Sequence, residues 1–259
     1  MAESVVCGSC GASVPASHRF CGQCGSPMQG TAPRTALQTG FFGAVQTDAR
    51  ARLVLIRGEG LDGATFQLSG RHVAGRSSGS ILFPDDAYLS PRHADFVVEE
   101  GRVFVADAGS LNGVYLRLRE PVRLEDGDAF LAGEELLRVQ VSDFGGTVAA
   151  DDGTHFFASP TPALAWRVTQ IFESGRPGAC VVAQGRSLVI GRERCDIDFP
   201  HDRFISGRHC RLDFGSGGAT LSDLGSRNGT YVRIRERRAL SDGDYLFIGR
   251  QLLRVEVSA

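Results

Sequence analysis

Two pairs of cysteines carry the most explicit chemistry in the chain. Cys7-Gly-Ser-Cys10 and Cys21-Gly-Gln-Cys24 form two C-x-x-C knuckles separated by ten residues. Four thiolates at that spacing suit a tetrahedral Zn²⁺ ion, and Gly11 and Gly25 let the chain turn back around the metal. A segment of this length cannot fold on apolar burial, so a structural zinc would supply most of its folding free energy, about 10–16 kcal/mol for such sites. His18 is a spare ligand type within the segment, but Cys7, Cys10, Cys21 and Cys24 already complete the site. The other three cysteines, Cys180, Cys195 and Cys210, are an odd number and are expected to pack as small hydrophobes.

A second constellation appears twice. Residues 75 to 142 recur without a gap at an offset of 116, as Gly75-Arg76 against Gly191-Arg192. Ser90, Arg92 and His93 return as Ser206, Arg208 and His209, and Asn112-Gly113 returns as Asn228-Gly229. The register holds through Leu136-Leu-Arg-Val139 against Leu252-Leu-Arg-Val255. A period this long is a duplicated domain, because solenoid repeats are much shorter.

The elements that must position these residues are strands. Short apolar runs such as Leu53–Ile56, Phe96–Val98, Val103–Val105 and Leu136–Val141 alternate with Gly, Asp and Asn turn signals, among 33 glycines. That pattern predicts a mainly β protein with two antiparallel β-sandwiches. Asp126-Gly-Asp128 and Asp242-Gly-Asp244 read as turns rather than carboxylate pairs. The run Arg233-Ile-Arg-Glu-Arg-Arg238 reads as one solvated edge strand. The expected layout is a zinc ribbon at 1–28, a flexible linker at 29–51, one sandwich at 52–142, a second linker at 143–165 and the other sandwich at 166–259.

Composition narrows the function classes. With 28 Lys+Arg against 30 Asp+Glu there is no global field for nucleic acid or an anionic membrane. Residues 1–28 hold only Glu3 and Arg19 besides His18, without the basic patch that phosphate-backbone binding needs. No run is long enough to cross a bilayer and no signal peptide is evident, so a cytoplasmic protein without disulfides is expected. No nucleophile–base pair, Walker-type loop or open metal site is present, and an enzyme is not expected.

Gly-Arg, then Ser-x-Arg-His fourteen residues after the Arg, then Asn-Gly, resembles the forkhead-associated (FHA) domain, in both copies. The resemblance implies an eleven-stranded sandwich whose loops at one end bind a phosphothreonine peptide. It assigns phosphate contacts to Arg76 and Ser90 in the first copy and to Arg192 and Ser206 in the second. Guanidinium and hydroxyl groups are the donors that a phosphate near −2 charge calls for. Asn112 and Asn228 would hold the main chain of the peptide, while His93 and His209 would brace the loops. The family also implies a backbone donor just after the motif serine and a donor just before the asparagine. The second copy has Gly207 and Arg227 there; the first has Pro91, with no N–H, and Leu111.

These readings point to an adaptor for phosphothreonine proteins, substrates of a Ser/Thr kinase, acting mainly through the second copy. Two other readings stay open. One is a phosphate-independent scaffold in a bacterial machine, and the other a nucleic-acid-binding regulator working through the ribbon. Thr31, Thr35, Thr39 and Thr47 in the first linker also suggest self-binding of a phosphorylated threonine.

Overall fold

The computed structural model describes residues 4–16, 18, 20–26, 28, 51–58, 63–141, 149–155, 157, 159–160, 166–183, 185–215 and 218–258. Residues 29–50 of the first linker, with its four threonines, lie outside the described residues, and Ala51 already belongs to a strand. The ribbon contributes β1 (Ser4–Val6) and β2 (Ser13–Pro15), paired antiparallel. The first repeat supplies β3 (Ala51–Arg57), β4 (Thr65–Leu68), β5 (Arg71–Gly75), β6 (Ile81–Leu82), β7 (Ala94–Glu99), β8 (Arg102–Asp107), β9 (Val114–Arg117), β10 (Val122–Leu124), β11 (Ala129–Ala132) and β12 (Glu135–Val141). The second repeat supplies β13 (Trp166–Ile171), β14 (Pro177–Val182), β15 (Ser187–Gly191), β16 (Ile197–Asp198), β17 (Cys210–Gly215), β18 (Gly218–Asp223), β19 (Thr230–Arg233), β20 (Arg238–Leu240), β21 (Tyr245–Ile248) and β22 (Gln251–Val257).

The strands close into two β-sandwiches, but not as two sequential halves. One compact unit is Met1–Arg117 with Arg233–Ala259, and the other is Leu118–Val232. In the first unit one sheet runs β9-β21-β22-β3-β4 and the other β20-β8-β7-β5-β6. In the second the sheets run β14-β13-β12-β11-β19 and β10-β18-β17-β15-β16. Each sandwich therefore takes seven strands from one repeat and its last three from the other. Pairing is antiparallel except for the short parallel pairs β5–β6 and β15–β16. This departs from the expected domains at 52–142 and 166–259.

The physical reason lies in the duplication itself. Leu253 faces Leu55 and Val255 faces Leu53 across β22–β3, while Val139 faces Val168 across β12–β13. The two closing segments present the same inward pattern, so either fits the core of either repeat. The core of the first unit accordingly includes Leu240, Leu246, Ile248, Leu253 and Val255 from the second repeat. That of the second includes Leu124, Phe130, Ala132, Leu137 and Val139 from the first. Each large side chain so buried stabilises by about 1.5–3 kcal/mol.

The basic run does not form one strand: β19 ends at Arg233 and β20 begins at Arg238. Arg233 instead reaches Asp107 at 3.7 Å, and Arg237 pairs with Glu99. Asp126-Gly-Asp128 and Asp242-Gly-Asp244 are turns, with Gly127 and Gly243 at positive φ.

The ribbon sits on the outer face of the first unit. Leu53 and Leu55 of β3 point into the core, so the alternate residues Val54 and Ile56 face outward, yet both are only 1% exposed. The second knuckle lies against Ile56. A Cβ on Gly25 would stand 2.9 Å from a Tyr245 ring carbon and 3.3 Å from Ile56 Cγ2. The Tyr245 hydroxyl donates to the Gly25 carbonyl at 3.2 Å, and the Arg254 guanidinium lies 5.9 Å from the Phe20 ring centre.

Candidate functional site

The tight turns after β5 and β15 bring the motif residues of each repeat together. In the second unit the Arg192 N–H donates to the carbonyl of Ser206 at 2.9 Å, which docks the Gly-Arg turn on the serine loop. Only glycine fits at 191, because a Cβ there would stand 2.2 Å from the Gly207 carbonyl oxygen. The Ser206 hydroxyl accepts from the Arg227 N–H at 3.1 Å, joining the serine loop to the Asn loop. Arg192 and Arg227 are exposed, with Ser206 and Gly207 half-buried between them.

His209 is fully buried and fastens the two loops to each other. Its Nδ1 accepts from the Ser206 N–H at 3.0 Å, which leaves Nε2 to donate to the Gly229 carbonyl at 3.1 Å. That is the bracing position expected for it, and His93 makes the same pair of bonds, to Ser90 at 3.1 Å and Gly113 at 2.9 Å. Burial pushes the His93 imidazole below the ordinary histidine range, ahead of opposing contributions from the Gly113 carbonyl, Asp107 and Asp86. A neutral ring with one donor and one acceptor nitrogen is what these bonds require.

The asparagines differ in setting. Each donates its Nδ2 at 2.7 Å to a loop carbonyl, Asn228 to Phe204 and Asn112 to Tyr88. That bond fixes which end of the amide is oxygen. In Asn228 the oxygen so defined is buried and meets no donor among the described residues, whereas Asn112 is exposed. A buried amide oxygen without a donor costs about 1–3 kcal/mol and marks a place where a donor is missing.

In the first unit the Arg76 N–H meets the Ser90 carbonyl at 3.0 Å, and the Ser90 hydroxyl accepts from the Leu111 N–H at 3.1 Å. The frame is the same, but its surface chemistry is not. Pro91 stands in place of Gly207, and Leu111, 85% exposed, in place of Arg227.

The structure adds residues that motif reading passed over. Ser226 donates to Asp223 at 2.6 Å and accepts from the Gly229 N–H at 3.0 Å, while Thr230 donates to the same carboxylate at 2.6 Å. Burial raises the Asp223 carboxyl, but the Ser226 and Thr230 hydrogen bonds outweigh it and hold it below the ordinary range. Asp86 and Asp202, each four residues before the motif serine, are almost fully buried and cap the serine loops. Their recurrence at the common offset was the available signal. Of the three remaining cysteines only Cys210 packs as a buried hydrophobe. Cys180 is exposed, and half-buried Cys195 turns its thiol to the Gly207 carbonyl at 3.2 Å.

In the ribbon the four thiol sulfurs lie within 4.8 Å of one another, with Cys7 to Cys24 at 3.7 Å and Cys10 to Cys21 at 3.5 Å. Zn–S bonds of 2.3 Å in a tetrahedron set sulfurs about 3.8 Å apart, so the residues fit the ion. Burial pushes the Cys10 and Cys21 thiols up, while at Cys7 burial is outweighed by backbone and cysteine hydrogen bonds that bring the thiol down, so a cation is needed to hold Cys10 and Cys21 as thiolates.

The family descriptions that match are those of the FHA domain, at residues 70–133 and 188–249, and of a zinc-ribbon domain, at 6–28. The chain is a protein with an N-terminal zinc ribbon and two tandem FHA domains. Among curated relatives, the oxoglutarate dehydrogenase inhibitor of Corynebacterium glutamicum is 37% identical over 109 residues, covering 40% of this chain and 71% of that one. The glycogen accumulation regulator GarA of Mycolicibacterium smegmatis is 45% identical over 71 residues, 27% of this chain and 40% of that protein's length. Among solved structures, the FHA domain of CT664 from Chlamydia trachomatis covers 81% of this chain and 99% of its own, at 12% identity and a TM-score of 0.34. No described helix is long and apolar enough to cross a membrane.

Proposed function

We propose that the protein is a signalling adaptor that binds phosphothreonine peptides, mainly through the loops carrying Arg192, Ser206, Gly207, Arg227 and Asn228. The observation that carries this reading is the exposed pair Arg192 and Arg227 on either side of the Ser206 hydroxyl. The phosphate takes the guanidinium and hydroxyl donors through charge-assisted bonds of about 1.5–3 kcal/mol each, and the Asn228 amide meets the main chain of the peptide. The likeness to GarA and to the oxoglutarate dehydrogenase inhibitor supports a regulatory binding role. The partners are proteins phosphorylated by a Ser/Thr kinase. The first unit's loops, with Arg76, Ser90 and Asn112, form the weaker site. In the ribbon Cys7, Cys10, Cys21 and Cys24 hold a structural Zn²⁺.

The test is a phosphothreonine-peptide library screened against the full chain, followed by calorimetry on Arg192→Ala and Arg76→Ala. Arg192→Ala is expected to weaken the selected peptide at least a hundredfold, and Arg76→Ala to change it little. Equal binding of phosphorylated and unphosphorylated peptide would instead favour a phosphate-independent scaffold.

A further inference from the structure

The serine loop of the second unit is not held by its own repeat alone. The hairpin between β11 and β12, part of the first repeat, places its turn at Gly133-Glu134 against that loop. The Glu134 N–H donates to Asp202 Oδ2 at 2.7 Å. The other oxygen of the same carboxylate accepts from the Phe204 N–H at 2.7 Å and the Ile205 N–H at 3.3 Å. Phe204 in turn offers the carbonyl that Asn228 grips at 2.7 Å, and Ser206 beyond it offers the hydroxyl to Arg227. Three hydrogen bonds thus link a turn of the first repeat to the asparagine of the second.

The fit at the turn is close. Gly133 has φ +67, and a Cβ there would stand 2.2 Å from Asp202 Oδ2 and 2.9 Å from the Ile205 backbone nitrogen. Asp202 is 6% exposed and bonded on both oxygens, so neither it nor the loop backbone can yield without moving the loop. The first unit has the mirror arrangement. There Gly249 of the second repeat, at φ +55, leaves 2.6 Å between a Cβ and Asp86 Oδ2, and the Arg250 N–H donates to that oxygen at 2.8 Å.

We propose that Gly133, Glu134 and Asp202 are positioning residues for the second repeat's ligand site, so that the first repeat governs the affinity of the second through its closing hairpin. The proposal rests on the phosphopeptide reading of that site. It assigns the first repeat a task that needs no phosphate of its own, and it predicts that the decisive glycine for the second site lies outside the second repeat.

The experiment uses the full chain in an Arg76→Ala background, which leaves one site to be read. Gly133→Ala, Gly249→Ala and Asp202→Asn are compared by calorimetry with the selected phosphothreonine peptide. Asp202→Asn puts an N–H where Glu134 needs an acceptor while keeping one oxygen for Phe204. Trp166, the single tryptophan, stacks on Phe214 with ring centres 5.9 Å apart and reports folding of the second unit. Gly133→Ala and Asp202→Asn are expected to weaken binding at least tenfold with Trp166 emission unchanged, and Gly249→Ala to stay within twofold. Without peptide, both weakening variants are expected to displace the amide resonances of Ser206, Gly207 and Arg227, a loop signature that mere loss of stability does not give.

If Gly249→Ala weakens binding and Gly133→Ala does not, the proposal is overturned. Should Gly133→Ala unfold the unit, Asp202→Asn decides alone, and unchanged affinity with unmoved loop resonances rejects the idea. A parent chain that binds no phosphothreonine peptide refutes the site's function instead, and the resonance arm then tests the positioning by itself.

Discussion

The two loop clusters share a skeleton and differ in what they offer a ligand. Both join Gly-Arg, serine and asparagine loops through a buried histidine, with bonds that agree to within 0.2 Å at that histidine. Yet one exposes Pro91 and Leu111 where the other has Gly207 and Arg227. The skeleton is maintained by buried bonds that no ligand touches, so it survives while the exposed donors diverge. The same holds for the sheets beneath. Val54 on β3 corresponds to Thr169 on β13, facing Arg254 and Arg138 respectively. The apolar position is 1% exposed, and the polar one hydrogen-bonds Cys180.

The largest expected effect separates the units by metal. Stripping zinc removes about 10–16 kcal/mol of folding free energy from the ribbon. It is expected to unmask Val54 and Ile56, so that hydrogen exchange rises along β3, β21 and β22 and stays unchanged in β13 and β17. Uniform exchange in both units would break the comparison.

A smaller effect tests whether the missing donors make the first unit's loops the weaker of the two sites proposed above. Pro91→Gly with Leu111→Arg, in an Arg192→Ala background, is expected to raise phosphothreonine-peptide affinity of the first unit about tenfold by calorimetry, one charge-assisted bond's worth. Unchanged affinity would place the difference elsewhere in the loops.

The smallest effect is in acid. Asp223 titrates below its ordinary value when folded, so the unfolded chain takes up the proton first as pH falls. The stability this carboxylate contributes is full above the ordinary aspartate range and is lost as pH drops through its folded value. Thr230→Val, which copies Val114 of the first repeat, is expected to cost the second unit about 1 kcal/mol at neutral pH and to flatten its acid dependence. His93 acts in a different window. Its folded value lies below the ordinary one, so as pH falls from about 6.5 the unfolded chain protonates first and the first unit loses stability. Melting curves between pH 7 and pH 3 read both.

Much of this was legible in the sequence. The knuckles, the repeat and the motif residues announced the ribbon, the sandwiches and both loop clusters. The strand exchange was not legible, because Leu136-Leu-Arg-Val139 and Leu252-Leu-Arg-Val255 are interchangeable in any pattern of apolar positions. Only the connecting geometry tells which core each enters. The ribbon's seat left a trace that went unused. Leu53–Ile56 is apolar without alternation, which is the mark of a strand covered on both faces, whereas Trp166-Arg-Val-Thr169 alternates. Asp86 and Asp202 recur at the common offset, but nothing local reveals that a distant hairpin buries them.

Strand exchange also orders the folding of the chain as it leaves the ribosome. Unit Leu118–Val232 is continuous in sequence and can close as soon as its last strand emerges. Seven strands of the other sandwich have already been made by then, and in the final fold they are completed only by residues 238–257. Until those residues are made, Leu53, Leu55 and Phe96 lack the strands that finally cover them. The earlier-made repeat is thus the one whose sandwich is completed by the last strands of the chain.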